Sequence, residues 1–385
     1  MTGRTLSRWL TAVALRLEDM VEALIAALAR LRGRRHPVII PFIGHGTPSR
    51  ARIGARIVLG EEAAAPPALT PGALRSDEEP SDDAPEVPSS PRRRRAVLRA
   101  SLARFLTVEV QRAPVTIQVP GGEVAVTTNR DGYVDHDVYL PEVTPGWLRV
   151  ELAGPDGSSA VARVLIVDPA ADIGLVSDVD DTILDTGLTR GLEFLRATLL
   201  TDVHERTPLP GAAALYRAFV NSNPGPRRPV FYVSTSPWNL HEMLLQFVSM
   251  RGFPLGPLLL TDWGPSHAGL FRIGAQAHKV GLVRRLLAEH PKLKLVLIGD
   301  SGQEDPEIYA TIARESPDRI AAIYIRHTTG VDLGRNAQVD RLAAEITAFG
   351  VPMLAADDSA QIAAHAAGLG LLDQAGVAAV RAELA

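Results

Sequence analysis

The hydrophobic pattern divides the chain into three predicted parts. Between residues 6 and 31, apolar side chains recur every three or four positions, which predicts an amphipathic helix. From residue 37 to 170, short alternating runs are separated by turn sequences such as Pro120-Gly121-Gly122, which predicts a β-sandwich-like domain. From residue 171 onward, short apolar runs alternate with helical patterns, as in a doubly wound parallel α/β sheet. We therefore expect an N-terminal helix (1–36), a β domain (37–170) and an α/β domain (171–385).

The predicted α/β domain begins with five strands, over residues 173–177, 230–234, 257–261, 294–299 and 320–325. One short strand and two alanine-rich helices are expected after residue 352. In open α/β sheets, ligands bind beyond the carboxyl ends of the strands. Polar residues that directly follow these strands are therefore the first candidates for chemistry.

One stretch interrupts the pattern of the β domain. Residues 61–95 begin with a segment rich in proline and alanine, have six acidic residues between positions 77 and 86, and end in four arginines at 92–95. This composition predicts a disordered insert. An arginine run can bind anionic lipid or nucleic acid, but we favour a solvated flank or a run that pairs with the nearby acids. The N-terminal helix has similar alternatives, a membrane surface or, as we favour, docking on the protein's own β domain.

Composition narrows the class of protein. The 385 residues are 46% hydrophobic and 22% charged, and the net charge of −4 does not favour a nucleic-acid partner. The absence of cysteine excludes disulfides and thiol chemistry. No apolar run is long enough to span a bilayer. Charged residues interrupt the first apolar stretch, which argues against a signal peptide. We expect a cytoplasmic protein.

A cluster of acidic residues follows the first α/β strand. Asp178, Asp180 and Asp181 fall within four positions, directly after an apolar run. Like charges repel and their desolvation is unfavourable, so stability alone explains such a cluster poorly. A solvated loop at the end of a strand is the ordinary alternative.

Three further signals follow along the chain. Ser234 comes after the second strand, Lys279 follows His278 at the start of a helical pattern, and Asp300 and Asp305 come after a fourth apolar strand. A hydroxyl can bind a phosphate oxygen, a lysine can neutralise an anion, and the two acids would face the first cluster if their strands are neighbours. Each signal alone has an ordinary explanation as a cap, a solvated lysine or a turn.

Together these signals resemble the haloacid dehalogenase-like superfamily of phosphatases. The shared order is Asp-x-Asp-x-Thr, a serine after a strand, a lysine, and then Gly-Asp-x4-Asp. The resemblance implies that Asp178 is a nucleophile and Asp180 a general acid and base. It also implies that Ser234 and Lys279 bind phosphate.

The same resemblance implies a Mg²⁺ site made by acidic residues: Asp178, Asp180, Asp300 and Asp305. Carboxylates are ligands that Mg²⁺ prefers, and the cation would screen repulsion between a carboxylate nucleophile and phosphate. Attack by a carboxylate on phosphorus forms an acyl phosphate and divides hydrolysis into two steps.

Within the superfamily, five segments resemble the actin-patch-protein type of phosphatidate phosphatase catalytic domain. They are SDVDDTI at 177–183, YVSTSPW at 232–238, LLLTDWG at 258–264, HK at 278–279 and IGDSGQEDPEIY at 298–309. This family implies Mg²⁺-dependent conversion of phosphatidate to diacylglycerol. We expect Thr182, Ser236, Trp238 and His278 to contribute to substrate binding.

The spacing of the motifs leaves no room for a cap domain. Only 47 residues (183–229) separate the first motif from the second strand, and only 44 (235–278) separate Ser234 from Lys279. An uncapped site can reach a phospholipid headgroup in a membrane, so we expect peripheral membrane contact. Two alternatives remain: a soluble phosphomonoesterase acting on a sugar, nucleotide or protein phosphate, and a non-catalytic β-sandwich binding module with the α/β domain as its scaffold.

Overall fold

A computed structural model describes residues 36–60, 108–179, 182, 209–222, 225–261, 275–328 and 333–385. The predicted helix before residue 36, the predicted insert with its arginines at 92–95, and Asp180 lie outside these residues. The chain divides into two compact units. Of the described residues, one unit contains 36–41, 54–60, 108–136 and 150–162, and the other contains 42–53, 137–149 and those described from Arg163 to Ala385. The domain boundaries given above stay a prediction.

Among the described residues of the first half of the chain, nine strands form a mixed sheet. Their bounds are β1 His36–Pro41, β2 Gly44–Thr47, β3 Arg50–Gly60, β4 Val108–Glu109, β5 Pro114–Val119, β6 Gly122–Thr127, β7 Tyr133–Tyr139, β8 Gly146–Ala153 and β9 Ser159–Ile166. The order is β1-β3-β2-β9-β8-β5-β6, and β4 and β7 also pair with β3. The predicted alternating runs are confirmed as strands, although β7 was not predicted. The sandwich arrangement of these strands stays a prediction.

The second half contains a six-stranded sheet and seven described α-helices. The strands are β10 Ile173–Asp178, β11 Val230–Pro237, β12 Leu258–Thr261, β13 Lys294–Asp300, β14 Ile320–Arg326 and β15 Met353–Ala356. The helices are α1 Ala212–Asn221, α2 His241–Met250, α3 Ala275–Glu289, α4 Asp305–Glu315, α5 Leu333–Phe349, α6 Ser359–Gly368 and α7 Gln374–Leu384. The predicted α/β strands, and the late strand with its two helices, are confirmed.

The strand order positions the site. The sheet runs β12-β11-β10-β13-β14-β15 and its pairs are parallel. From β10 the chain adds β11 and β12 on one side and then returns to β13 on the other, so the order reverses between β10 and β13. A reversal of this kind opens a crevice at the carboxyl ends of the two strands. The α/β class with a parallel sheet is confirmed, whereas the haloacid dehalogenase-like fold and the missing cap stay predictions.

The hydrophobic core holds these strand ends in place. Every residue of β10 and β11 except Thr235 is buried, as expected for strands covered on both faces. Aliphatic side chains of β13, α3 and α4 pack with them in one cluster, which includes Val176, Leu295, Val283 and Ile308. No helix in the described ranges is long and apolar enough to cross a membrane.

Two glycines make a matched test of the packing beside this core. A Cβ on Gly256 would overlap the carbonyl oxygen of Val230, at the start of β11, whereas a Cβ on Gly281 in α3 meets no atom within 4 Å. We expect Gly256→Ala to lower the free energy of unfolding by about 1–3 kcal/mol. Gly281→Ala should raise it by about 0.5–1 kcal/mol, because alanine favours a helix interior. Denaturant titrations measure both, and equal effects of the two substitutions would contradict the packing described.

Candidate active site

Asp178 is the last residue of β10 and is 1% exposed. The side chain of the preceding Ser177 donates a hydrogen bond to the Asp178 carbonyl oxygen at 2.5 Å and contacts the Tyr216 hydroxyl at 2.6 Å. The hydroxyl of Thr182 lies 3.5 Å from Asp178 Oδ2. These contacts fix the backbone at the end of the strand and place the Asp178 carboxyl group within the protein.

Asp300 and Asp305 lie beside Asp178 because β13 pairs with β10. Asp300 ends β13 and Asp305 begins α4, where an acidic residue is favoured by the helix dipole. Asp300 Oδ1 accepts hydrogen bonds from the backbone N–H groups of Gly302 at 2.6 Å and Gln303 at 3.0 Å. The Asp300 N–H group also donates to Asp305 Oδ2 at 3.4 Å. The turn between β13 and α4 therefore orients both carboxyl groups.

Lys279 joins the acidic residues from the first turns of α3. Its Nζ donates to Asp178 Oδ1 and to Asp305 Oδ1, each at 2.6 Å. Lys279 is 2% exposed. Burial alone would lower the pKa of its ammonium group, but the two carboxylates outweigh burial and hold that pKa above its ordinary value. The lysine is therefore positively charged at neutral pH.

The three acids fit a divalent cation. Asp178, Asp300 and Asp305 each offer one carboxylate oxygen, and these oxygens lie within 4.8 Å of one another. With all three ionised and Lys279 protonated, the group has a net charge of −2, which a divalent cation would balance. A set of ligands made only of oxygen suits Mg²⁺ better than softer metals. Asp180, the fourth predicted ligand, is not among the described residues.

The predicted phosphate and substrate binders occupy neighbouring positions. Ser234 lies in β11 one residue beyond Val233, which pairs with Asp178. Its hydroxyl accepts a hydrogen bond from the Ser236 N–H group at 2.9 Å, and both serines are buried. This hydrogen bond orders the chain at the carboxyl end of β11.

Trp238 and His278 are both half-buried. The Trp238 ring stacks on Phe42, with ring centroids 4.5 Å apart and an interplanar angle of 17°. His278 directly precedes Lys279 in α3, and burial lowers the pKa of its imidazole. Trp238 is thus held by aromatic packing, and its role in substrate binding stays a prediction, as does that of His278.

Two residues near Asp300 were not predicted from the sequence motifs. Thr328, just after β14, lies with its hydroxyl 3.4 Å from Asp300 Oδ1. Arg335 in α5 donates to the carbonyl oxygens of Ser301 at 2.9 Å and Gln303 at 2.6 Å, so it braces the turn that presents Asp300. A hydroxyl after a predicted strand was a usable signal for Thr328, whereas nothing in the sequence marks Arg335.

Comparison with known proteins agrees with the position of this site. Residues 173–327 match the model of the family described as phosphatidate phosphatase APP1, catalytic domain. The match starts at β10 and ends just after β14, so it includes the whole acidic group and Lys279. The α/β segment of this chain is similar to that family, and the predicted resemblance is confirmed.

Individual relatives cover the same region. Phosphatidate phosphatase APP1 of Saccharomyces cerevisiae is 34% identical over 155 residues, which are 40% of this chain and 26% of the relative. An uncharacterised protein of Schizosaccharomyces pombe is 28% identical over 214 residues, 53% of this chain and 34% of that protein. The chain thus spans between a quarter and about a third of the length of these relatives.

One solved structure aligns with about half of this chain. It is D,D-heptose 1,7-bisphosphate phosphatase from B. bronchiseptica, in complex with magnesium and phosphate. The alignment covers 51% of this chain and 99% of the chain of that protein. The identity is 14% and the TM-score is 0.29.

Gly299 tests how tightly the site is assembled. A Cβ at this position would lie 2.7 Å from both Cβ and Oδ2 of Asp305. We expect Gly299→Ala to push Asp305 away from Lys279, to destabilise the fold by about 1–3 kcal/mol and to weaken divalent-cation binding. Calorimetric titration with Mg²⁺ and denaturant unfolding measure the two effects. Gly368→Ala, with no atom within 4 Å of its Cβ, is the control, and wild-type behaviour of Gly299→Ala would contradict the close approach.

Proposed function

We propose that this protein hydrolyses phosphomonoesters through an aspartyl-phosphate on Asp178, and that phosphatidate is its substrate. The observation that supports this most strongly is the buried group at the carboxyl edge of the parallel sheet, where Asp178 and Asp305 accept hydrogen bonds from the Lys279 ammonium and Asp300 lies beside them. The family match to a phosphatidate phosphatase catalytic domain supports the choice of substrate.

The proposed reaction has two steps. A carboxylate oxygen of Asp178 attacks phosphorus, the bond from phosphorus to the substrate oxygen breaks, and an acyl phosphate forms. Asp180 gives its proton to the leaving alcohol, which is diacylglycerol when phosphatidate is the substrate. Asp180 then takes a proton from water as that water attacks the phosphorus, which releases inorganic phosphate and restores the Asp178 carboxylate.

Lys279 and Ser234 complete the electrostatics of this proposal. The Lys279 ammonium hydrogen-bonds Asp178 Oδ1 and keeps a positive charge beside the oxygen atoms that become more negative in the transition state. In this proposal the Ser234 hydroxyl, at the end of the adjacent strand, donates to a phosphoryl oxygen. Both groups are buried, and an environment of low polarity strengthens such interactions.

We infer Mg²⁺ as the cofactor, held by Asp178, Asp300 and Asp305 with Asp180 as a further ligand. When bound, Mg²⁺ acts as a Lewis acid that neutralises phosphate charge. Removal of the cation by EDTA should therefore abolish turnover, and added Mg²⁺ should restore it.

The substrate assignment includes a membrane surface. Phosphatidate is a bilayer lipid, so the proposed enzyme acts as a peripheral protein at the membrane, with Trp238 at the rim of the site. A soluble phosphomonoesterase is the competing class. A lipid phosphatase hydrolyses a phosphate monoester that is embedded in a vesicle, whereas a soluble phosphomonoesterase does not.

Asp178→Asn tests the proposed function, with the exposed Asp318→Asn as its matched control. An amide cannot form the acyl phosphate, so we expect turnover to fall by about three orders of magnitude or more, as when other enzymes lose a nucleophile. Phosphate release is measured on phosphatidate vesicles and on a soluble aryl phosphate, with Mg²⁺ or with EDTA.

The pattern of activities separates the alternatives. Hydrolysis of vesicle phosphatidate that Asp178→Asn removes and Asp318→Asn keeps would support the proposal. Turnover of the soluble ester alone would overturn the lipid assignment and favour the soluble phosphomonoesterase. Turnover by Asp178→Asn at more than a few per cent of the wild-type rate would overturn the nucleophile.

A further inference from the structure

We propose that His45, Glu289 and His290 form a second metal site, selective for a transition-metal ion such as Zn²⁺. His45 lies in β2, Glu289 is the last residue of α3, and His290 directly follows it. The three side chains offer one ligand atom each, and these atoms lie within 4.8 Å of one another. None of them belongs to the group around Lys279, so this site is independent of the proposed phosphatase chemistry.

The separation of two of these ligand atoms matches the geometry of zinc. His45 Nδ1 and Glu289 Oε2 are 3.4 Å apart. Tetrahedral zinc with bonds of about 2.0–2.1 Å to nitrogen and oxygen holds neighbouring ligand atoms about 3.4 Å apart. The pair does not have the geometry of a hydrogen bond, because His45 Nδ1 has no hydrogen-bond partner. The two atoms therefore face each other at a distance that a shared metal ion would explain.

Two buried nitrogen atoms lack hydrogen-bond partners at this place. They are His45 Nδ1 and His290 Nε2, in side chains of residues that are 3% and 6% exposed. A buried polar atom without a partner costs about 1–3 kcal/mol, and native proteins contain few of them. A bound metal ion would satisfy the nitrogen of His45 directly, and a ring nitrogen of His290 completes the set.

The surrounding residues orient the ligands. Arg285 Nε donates to Glu289 Oε1 at 2.6 Å, so the other oxygen of that carboxylate is directed at His45. The Phe231 ring contacts both imidazoles, with centroids 5.6 Å from His45 and 5.9 Å from His290. An ordered partner on the far side of a metal ligand is typical of metal sites.

The strand that presents His45 approaches its neighbour closely. A Cβ on Gly44 would overlap the backbone carbonyl oxygen of Arg52 in β3, and a Cβ on Gly46 would overlap that of Arg50. Glycine on both sides of His45 therefore lets β2 pair tightly with β3. The position of His45 is consequently fixed by backbone pairing, and a preformed site loses less conformational entropy when it binds a metal ion.

Charged side chains also lie near this set of ligands. Arg50 and Arg52 add positive charge nearby, but Asp137 offsets it through its 2.9 Å ion pair with Arg50.

The ligand types separate this site from the acidic group. Two imidazole nitrogens and one carboxylate oxygen favour Zn²⁺ over Mg²⁺, which prefers oxygen ligands alone. The ligands come from β2 and from the end of α3, which are far apart in the sequence. A bound ion would therefore link these two elements and stabilise the folded state.

The test measures Zn²⁺ binding by the full chain after chelator treatment, with saturating Mg²⁺ present to occupy the acidic group. We expect one Zn²⁺ per chain by equilibrium dialysis with elemental analysis, and a rise in the unfolding temperature. His45→Gln and His290→Gln should each weaken binding at least about tenfold and lose most of that rise. His136→Gln, an exposed histidine, is the matched control and should bind as the wild type does.

Further variants keep the result interpretable. Glu289→Gln keeps the shape of the side chain but removes the carboxylate ligand, so it should weaken Zn²⁺ binding. Asp300→Asn alters the acidic group but should retain Zn²⁺ binding. Co²⁺ in place of Zn²⁺ should give the visible absorption of a low-coordinate site, which His45→Gln loses. The proposal is overturned if the wild type binds no Zn²⁺ beside Mg²⁺, or if the histidine variants bind it as tightly as the wild type.

Discussion

The Lys279 ammonium is shared by two buried carboxylates, and the rest of the site depends on this interaction. Asp178 and Asp305 would repel each other in a region that excludes water, and each charge is unfavourable there without a partner. One lysine cannot balance three acids, so the arrangement also favours a divalent cation. The fold must therefore hold β10, α3 and α4 rigidly, and the common core beneath them does so.

Much of this arrangement could be predicted from the sequence because parallel strands end at one edge of their sheet. Asp178 and Asp300 each end a predicted strand, and pairing of β10 with β13 was sufficient to bring them together. The direction of Lys279 was harder to foresee, because a helix can present a lysine to solvent or to the sheet. Only the packed structure shows that it points at the acids.

Other features depend on tertiary contacts that leave no local signal. Arg335 braces the turn after β13 from a distant helix, and a lone arginine in a helical pattern does not predict this. His45 and the pair Glu289-His290 meet for the same kind of reason, through strand pairing and the end of a helix. The chain would then use two kinds of ligand set, one made of oxygen for chemistry and one containing imidazole for stability.

Asp178 is the residue that we propose accepts the phosphoryl group. Borohydride reduces an acyl phosphate to an alcohol, so it converts a phosphorylated aspartate to homoserine, which peptide mass spectrometry locates. When the enzyme is quenched with borohydride during turnover of phosphatidate with Mg²⁺, we expect homoserine at position 178 and none in substrate-free samples. Phosphate release without modification of Asp178, or modification of another aspartate in its place, would contradict the account.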